Sequence, residues 1–222
     1  LTHPLSRDIA IEPSHTTLLF VDVQKYNCTW NGGEYALLSE TEKQQGYGYF
    51  FRTLRDRALP NMVSLQHACR RAGIEVIYTS IESMTAEGRD RSLDYKITGF
   101  NVPKGSRDAQ MVDELRPGED EMVFAKTSSS VFISTNIDYV LRNLGTRCLI
   151  IAGCLTDQCV DSAVRDACDL GYLVTLPTDA CVTLSAERHE WSLRNNSGYC
   201  RQLTTGILLQ EIGRLTADRC ER

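Results

Sequence analysis

Apolar residues in this chain fall into short, nearly unbroken runs separated by stretches with helical spacing. The run Thr16-Thr17-Leu18-Leu19-Phe20-Val21 stops at Asp22. A strand with one face in water would alternate, so a continuous run indicates a strand buried on both faces. Comparable runs recur at residues 74–78, 121–125, 148–152 and 172–176, and five strands are expected. Residues 61–72, 134–144, 160–170 and 204–215 carry helical patterns between and after them. Pro60 precedes the first of these, and Gly145 and Gly171 follow the second and third, which is the punctuation of helix starts and stops. The alternation predicts an α/β fold, a Rossmann-like three-layer αβα sandwich with a mainly parallel central sheet. Ligands of such sheets bind at the carboxyl ends of the strands.

Residues 26–59 interrupt this rhythm with Gly32-Gly33 and the run Gly46-Tyr47-Gly48-Tyr49-Phe50-Phe51. Either a lid or partner-contacting loop, or a partly helical insertion packed on the surface, would account for them. A length of 222 residues fits one domain over residues 1–222 with a single sizeable core. The 24 basic and 29 acidic residues leave a formal charge of -5, without the basic footprint that nucleic acid or an anionic membrane surface requires. No apolar run reaches the length of a membrane span, and the first residues have neither a basic start nor an apolar signal core. The expectation is a cytoplasmic protein acting on a small molecule, although a start at Leu1 leaves room for a trimmed targeting segment. The nine cysteines are scattered and include no C-x-x-C pair, so reduced core thiols are expected rather than a disulfide framework or zinc ribbon.

Three polar groups stand where apolar strands end. Asp22 follows the first strand, where a partly desolvated carboxylate can act as a base, though a lone aspartate there more often caps a helix. Lys126 follows Met122-Val123-Phe124-Ala125 and precedes Thr127-Ser128-Ser129-Ser130. A lysine so placed can hold a neighbouring thiolate and carboxylate by charge, while a solvated lysine is the usual outcome. Cys159 opens the helix expected after Gly153-Cys154-Leu155-Thr156-Asp157-Gln158. Free N–H groups at a helix start favour a thiolate over the unperturbed thiol pKa of about 8.5, whereas most buried cysteines are inert. The coincidence of acid, cation and thiol at one sheet edge carries more weight than any one of them.

These segments resemble the isochorismatase-like cysteine hydrolases, which include nicotinamidases, N-carbamoylsarcosine amidase, ureidoacrylate amidase and biuret hydrolase. The likeness rests on Leu18 through Gln24, on Lys126 through Phe132, and on Gly153 through Val160 continuing to Ala163, Asp166-Ala167 and Gly171-Tyr172. It implies a catalytic triad of Asp22, Lys126 and Cys159, in which Asp22 takes the thiol proton and Lys126 stabilises the charged arrangement. It also implies an oxyanion hole from the backbone N–H groups of Leu155 and Cys159, following a cis peptide at Cys154-Leu155. A thioester would form, ammonia or an amine would leave, and no cofactor would be required.

The cysteine favours C–N cleavage over vinyl ether hydrolysis, since siderophore-type isochorismatases lack it. Nicotinamidases place an Asp-x-His metal motif after the strand that here reads Val76-Ile77-Tyr78-Thr79-Ser80-Ile81-Glu82. No histidine occurs there, and His67 lies on a predicted helix, so no catalytic metal is expected. Asp157 through Asp161, Gly88 through Lys96 and Gly198 through Gln202 look nearest to biuret- and ureide-hydrolysing members. Gln202 is then the candidate to hold a urea-like end, since an amide both donates and accepts, with a surface helix glutamine as the other reading. Glu82 would accept from substrate N–H groups or pair with Arg89 or Arg91. Tyr26 and residues 47–51 would wall the pocket, if need be across the interface of a homodimer or homotetramer. The expected function is hydrolysis of a non-peptide C–N bond in a small amide or ureide of biuret or ureidoacrylate type. An isochorismatase, or a ligand-binding member without catalysis, is the alternative.

Overall fold

The computed structural model describes residues 6–220 of the chain. Strands β1 (Thr16–Val21), β2 (Glu75–Ile81), β3 (Met122–Lys126), β4 (Cys148–Cys154), β5 (Leu173–Pro177), β6 (Cys181–Val182) and β7 (Arg201–Leu203) form one sheet. Its order is β3-β2-β1-β4-β5-β7, with β6 paired to β4, and each named strand pairing is parallel. The five expected strands are all present. β6 and β7 were not expected because strands of two and three residues are too short to register as apolar runs.

Continuous hydrophobicity in β1 has the predicted cause. Leu18 and Phe20 face one core with Val76, Tyr78, Ile150 and Ala152. Leu19 and Val21 face the other with Ile77, Leu149 and Ile151, as the two-residue period of a strand requires. Helices Leu59–Ala72 and Thr205–Cys220 cover the first face, with Met62, Leu65, Leu208 and Ile212 buried. Helices Ile137–Asn143 and Asp161–Asp169 cover the second, through Leu141, Ala163, Val164 and Ala167. The three layers follow from this arrangement.

Residues 26–59 take mainly the second of the two forms considered. Helix Glu40–Thr53 starts at a capping box, in which Ser39 Oγ accepts from Glu42 N–H while Glu42 accepts from Ser39 N–H. A wide turn, Leu54–Ala58, runs from it into helix Leu59–Ala72. Phe50, Leu54 and Ala58 are buried in the main core. Within the chain, Phe51 and Tyr47 pack edge-on against Trp30 and Tyr35 at 4.7–5.2 Å between ring centroids. Among the described residues no helix is long and apolar enough to cross a membrane.

The order of the sheet determines where chemistry can occur. From β1 the chain builds outward to β2 and β3 on one side, then returns to β4 and builds outward on the other. The direction reverses between β1 and β4, and a crevice opens at such a switch point beyond the carboxyl ends. Asp22 follows β1 and the Leu155 to Cys159 turn follows β4, so both border it.

Candidate active site

Asp22 leaves β1 in the left-handed region with φ 55, a conformation that aspartate tolerates better than bulkier residues. The turn is fixed from β2: Asp22 N–H donates to Thr79 O at 3.1 Å and lies 3.2 Å from Thr79 Oγ1. Thr79 Oγ1 in turn donates to Asp22 Oδ1 at 2.7 Å. Gln24 joins the ends of the same strands, accepting from Ile81 N–H at 2.6 Å and donating to Ile81 O at 2.9 Å. Asp22, Gln24 and Thr79 are all fully buried.

Lys126 ends β3, two strands from β1, so its backbone stands about 10 Å away laterally at ordinary strand spacing. A long side chain crosses the end of β2 and places Nζ 2.8 Å from Asp22 Oδ2. The ammonium donates to Cys159 Sγ at 3.3 Å, to Tyr95 Oη at 3.1 Å and to Ser128 O at 2.9 Å. With Asp22 Oδ2 this makes four acceptors around three protons, which are shared among them. Among the described residues, Asp22 Oδ2 has no aligned hydrogen bond beyond this ion pair, and it retains a lone pair for an incoming proton.

Cys159 lies in a π-type turn, Thr156–Val160, just before helix Asp161–Asp169 rather than within the first turn of that helix. Val160 N–H and Gln158 N–H both bond to Leu155 O, at 3.2 and 3.1 Å, and the Cys154–Leu155 peptide is cis. Helix Ala186–Asn196 supports the turn from behind. Thr156 Oγ1 is 2.9 Å from His189 Nδ1, Ser192 Oγ donates to Thr156 O at 3.0 Å, and Arg188 pairs with Asp157. Gly153 permits the close approach of β4 to β1, since a Cβ there would stand 2.2 Å from Val21 O.

The electrostatics correct one expectation. A thiolate-favouring helix start was predicted, yet burial pushes the Cys159 thiol up to about 12. Desolvation is the largest cause; the Lys126 charge opposes it, and the Asp22 carboxylate adds to it. For Lys126, burial favours the neutral amine, but the adjacent Asp22, Cys159 and Tyr95 outweigh it and hold the ammonium well above the usual lysine range. The resting site is therefore a neutral thiol beside a buried ion pair.

Asp22, Lys126 and Cys159 are thus brought into contact, and Leu155 begins the turn that carries Cys159. Tyr26 packs with Tyr95, Ile81 and Val102 and lies 5.9 Å from the Phe100 ring. Glu82 accepts from Gly105 N–H at 2.6 Å, not from an arginine; Arg91 instead donates to Gly88 O and Phe100 O. Gln202 is not brought to the triad. It lies on β7, three strand spacings from β1, and its amide donates to Leu193 O at 2.6 Å. Thr79 and Tyr95 were not singled out in the sequence. A threonine within an apolar strand was the available signal for the first, and the second lies in the Gly88 through Lys96 segment that resembles ureide-hydrolysing members. A cavity of about 530 Å³ opens elsewhere, between Cys28, Phe51, Leu54, Leu59 and Val63, and touches none of the triad. Among the described residues no group of three or more His, Cys, Asp or Glu side chains is arranged to hold a metal ion.

The chain belongs to the isochorismatase domain family, whose pattern matches residues 16–207. It is 30% identical over 188 residues to the ureidoacrylate amidohydrolase RutB of Rhizobium rhizogenes, spanning 78% of this chain and 72% of that protein. It is also 30% identical over 150 residues to nicotinamidase 3 of Arabidopsis thaliana, spanning 65% of this chain and 74% of that one. A cysteine hydrolase from Pseudomonas syringae pv. phaseolicola shares the fold with a TM-score of 0.80 at 23% identity, covering 97% of this chain and 100% of its own.

Proposed function

We propose that this protein hydrolyses a C–N bond of a small ureide or amide, of ureidoacrylate or biuret type, with Cys159 as nucleophile. The observation that carries the reading is the buried contact of Asp22, Lys126 and Cys159 at the switch point, with Lys126 Nζ 2.8 Å from one and 3.3 Å from the other. A thiol held neutral needs a base at the moment of attack, and Asp22 Oδ2 has the open lone pair to serve. As the proton moves to Asp22, the charge forming on sulfur meets the Lys126 ammonium, and the sulfur adds to the carbonyl carbon. The resulting oxyanion is received by the N–H groups of Leu155 and Cys159. Collapse returns the proton from Asp22 to the leaving nitrogen, which departs as ammonia or an amine. Water then gives a proton to Asp22 and cleaves the thioester, restoring the thiol. No step calls for a cofactor.

Similarity to a ureidoacrylate amidohydrolase over 78% of this chain, against 65% for nicotinamidase 3 at the same identity, supports a ureide over an aromatic amide. Tyr26, packed with Tyr95, and Glu82, at the end of β2, are the residues proposed to contact the substrate. Ammonia release should be measured with ureidoacrylate, biuret, N-carbamoyl amino acids, nicotinamide and maleamate. Release from a ureide, absent in Cys159→Ser, supports the reading. Release from nicotinamide alone would move the substrate class, and pyruvate from isochorismate without ammonia from any amide would overturn it.

A further inference from the structure

We infer that Tyr95 is a second hydrogen-bond donor to the nucleophilic sulfur, so that Cys159 reacts between an ammonium and a phenol. The inference rests on the proposed role of Cys159 and adds a residue to it. Tyr95 is buried, with its hydroxyl 3.1 Å from Lys126 Nζ and 3.9 Å from Cys159 Sγ.

The direction of these bonds follows from counting protons. Lys126 is only a donor, so Tyr95 Oη must accept from it, and the phenol retains its own proton. Cys159 Sγ is the acceptor within reach of that proton. At rest the contact is long, as expected of a neutral thiol. Once the thiol proton has passed to Asp22, the sulfur is an anion and the bond becomes charge-assisted. A donor whose interaction strengthens only as charge develops lowers the barrier rather than tightening ground-state binding. Desolvation holds the Tyr95 hydroxyl well above the usual tyrosine range despite the opposing Lys126 charge, so the proton remains available for donation.

Local structure holds the phenol in place. Ser92 Oγ accepts from Tyr95 N–H at 3.2 Å and starts helix Leu93–Thr98. The ring packs 5.4 Å from Phe100, against Tyr26, Ile81 and Val102. Phenylalanine would keep that packing and the ring's 5.7 Å approach to Lys126 Nζ, and would lose only the hydroxyl's contacts with Lys126 and Cys159.

Tyr95→Phe removes that one oxygen. The readout is the rate at which iodoacetamide alkylates Cys159 at about pH 9, followed on the peptide that contains it, a measurement that needs no substrate. A lost charge-assisted bond should slow alkylation roughly ten- to a hundredfold. Where a substrate has been found, kcat should fall by a similar factor with KM little changed. Placing 3,5-difluorotyrosine at position 95 keeps the shape but makes the phenol a stronger donor, so alkylation should accelerate; this arm also serves if Tyr95→Phe folds poorly. Unchanged alkylation in folded Tyr95→Phe, or no acceleration with the fluorinated residue, would overturn the inference. Undiminished turnover in Cys159→Ser would instead remove the hydrolytic reading and leave the alkylation result standing.

Discussion

Replacing Lys126 with methionine tests the electrostatic core of the site. Nζ and the Asp22 carboxylate are 2.8 Å apart and both side chains are 0% exposed. Methionine nearly preserves the volume of the side chain but leaves a carboxylate in the interior without its counter-ion. Breaking a buried pair from one side costs about 3–5 kcal/mol, most of it the penalty of the stranded charge. The urea midpoint at pH 7 should fall accordingly. Adding Asp22→Asn should recover about half of the loss, the non-additivity expected of contacting groups. Activity should fall roughly a hundred- to a thousandfold in either variant. A Lys126→Met protein within about 0.5 kcal/mol of the parent, with no recovery on adding Asp22→Asn, would refute the reasoning.

Thr79→Val removes the hydroxyl that donates to Asp22 Oδ1 at 2.7 Å. Bonds to charged groups are worth about 1.5–3 kcal/mol, so the urea midpoint and kcat should both fall, the latter roughly ten- to a hundredfold. Gly153→Ala should cost at least about 3 kcal/mol or abolish folding, since φ is +134 and the new Cβ would meet Val21 O. Soluble yield and thermal unfolding measure it, and a normal melting temperature would contradict the close approach of β4 to β1. His189 is buried against the nucleophile turn, and desolvation lowers its pKa. The folded chain then binds fewer protons than the unfolded one below about pH 6.5, so the stability His189 confers above that pH is lost as the solution is acidified. His189→Gln should flatten the urea midpoint between pH 7.5 and 5.5; an unaltered slope would count against it.

Strands with both faces buried announce themselves as continuous apolar runs, which is why β1, β2, β4 and β5 were legible; β3, at the sheet edge with Val123 and Ala125 exposed, carries an apolar run without that cause. The polar residues ending β1 and β3, and the cysteine after β4, converge because their strands are parallel and finish on one edge. Lateral placement has no such signature. Nothing in the linear order of Gln202 shows that β7 stands beyond β5, or that its amide bonds to Leu193. Tyr95 occupies a six-residue helix whose inward face is defined by Phe100 and Tyr26, contacts far from it in pattern if not in number. The thiol shift was misjudged in sign because the sequence shows the helix that follows Cys159 but not how completely the turn before it is desolvated. Residues 26–59 were ambiguous because aromatic and glycine content suits a loop, whereas the buried side of Phe50 and Leu54 emerges only once helix Glu40–Thr53 is docked.

The central claim is that Cys159 forms the covalent bond to the substrate. The direct measurement is the mass of the peptide containing Cys159 after acid quench during turnover of whichever amide or ureide releases ammonia. The account predicts an acyl increment on Cys159 that disappears as substrate is exhausted, and no release by Cys159→Ser. Ammonia release by Cys159→Ser at the parent rate, with no increment on the peptide, would contradict it.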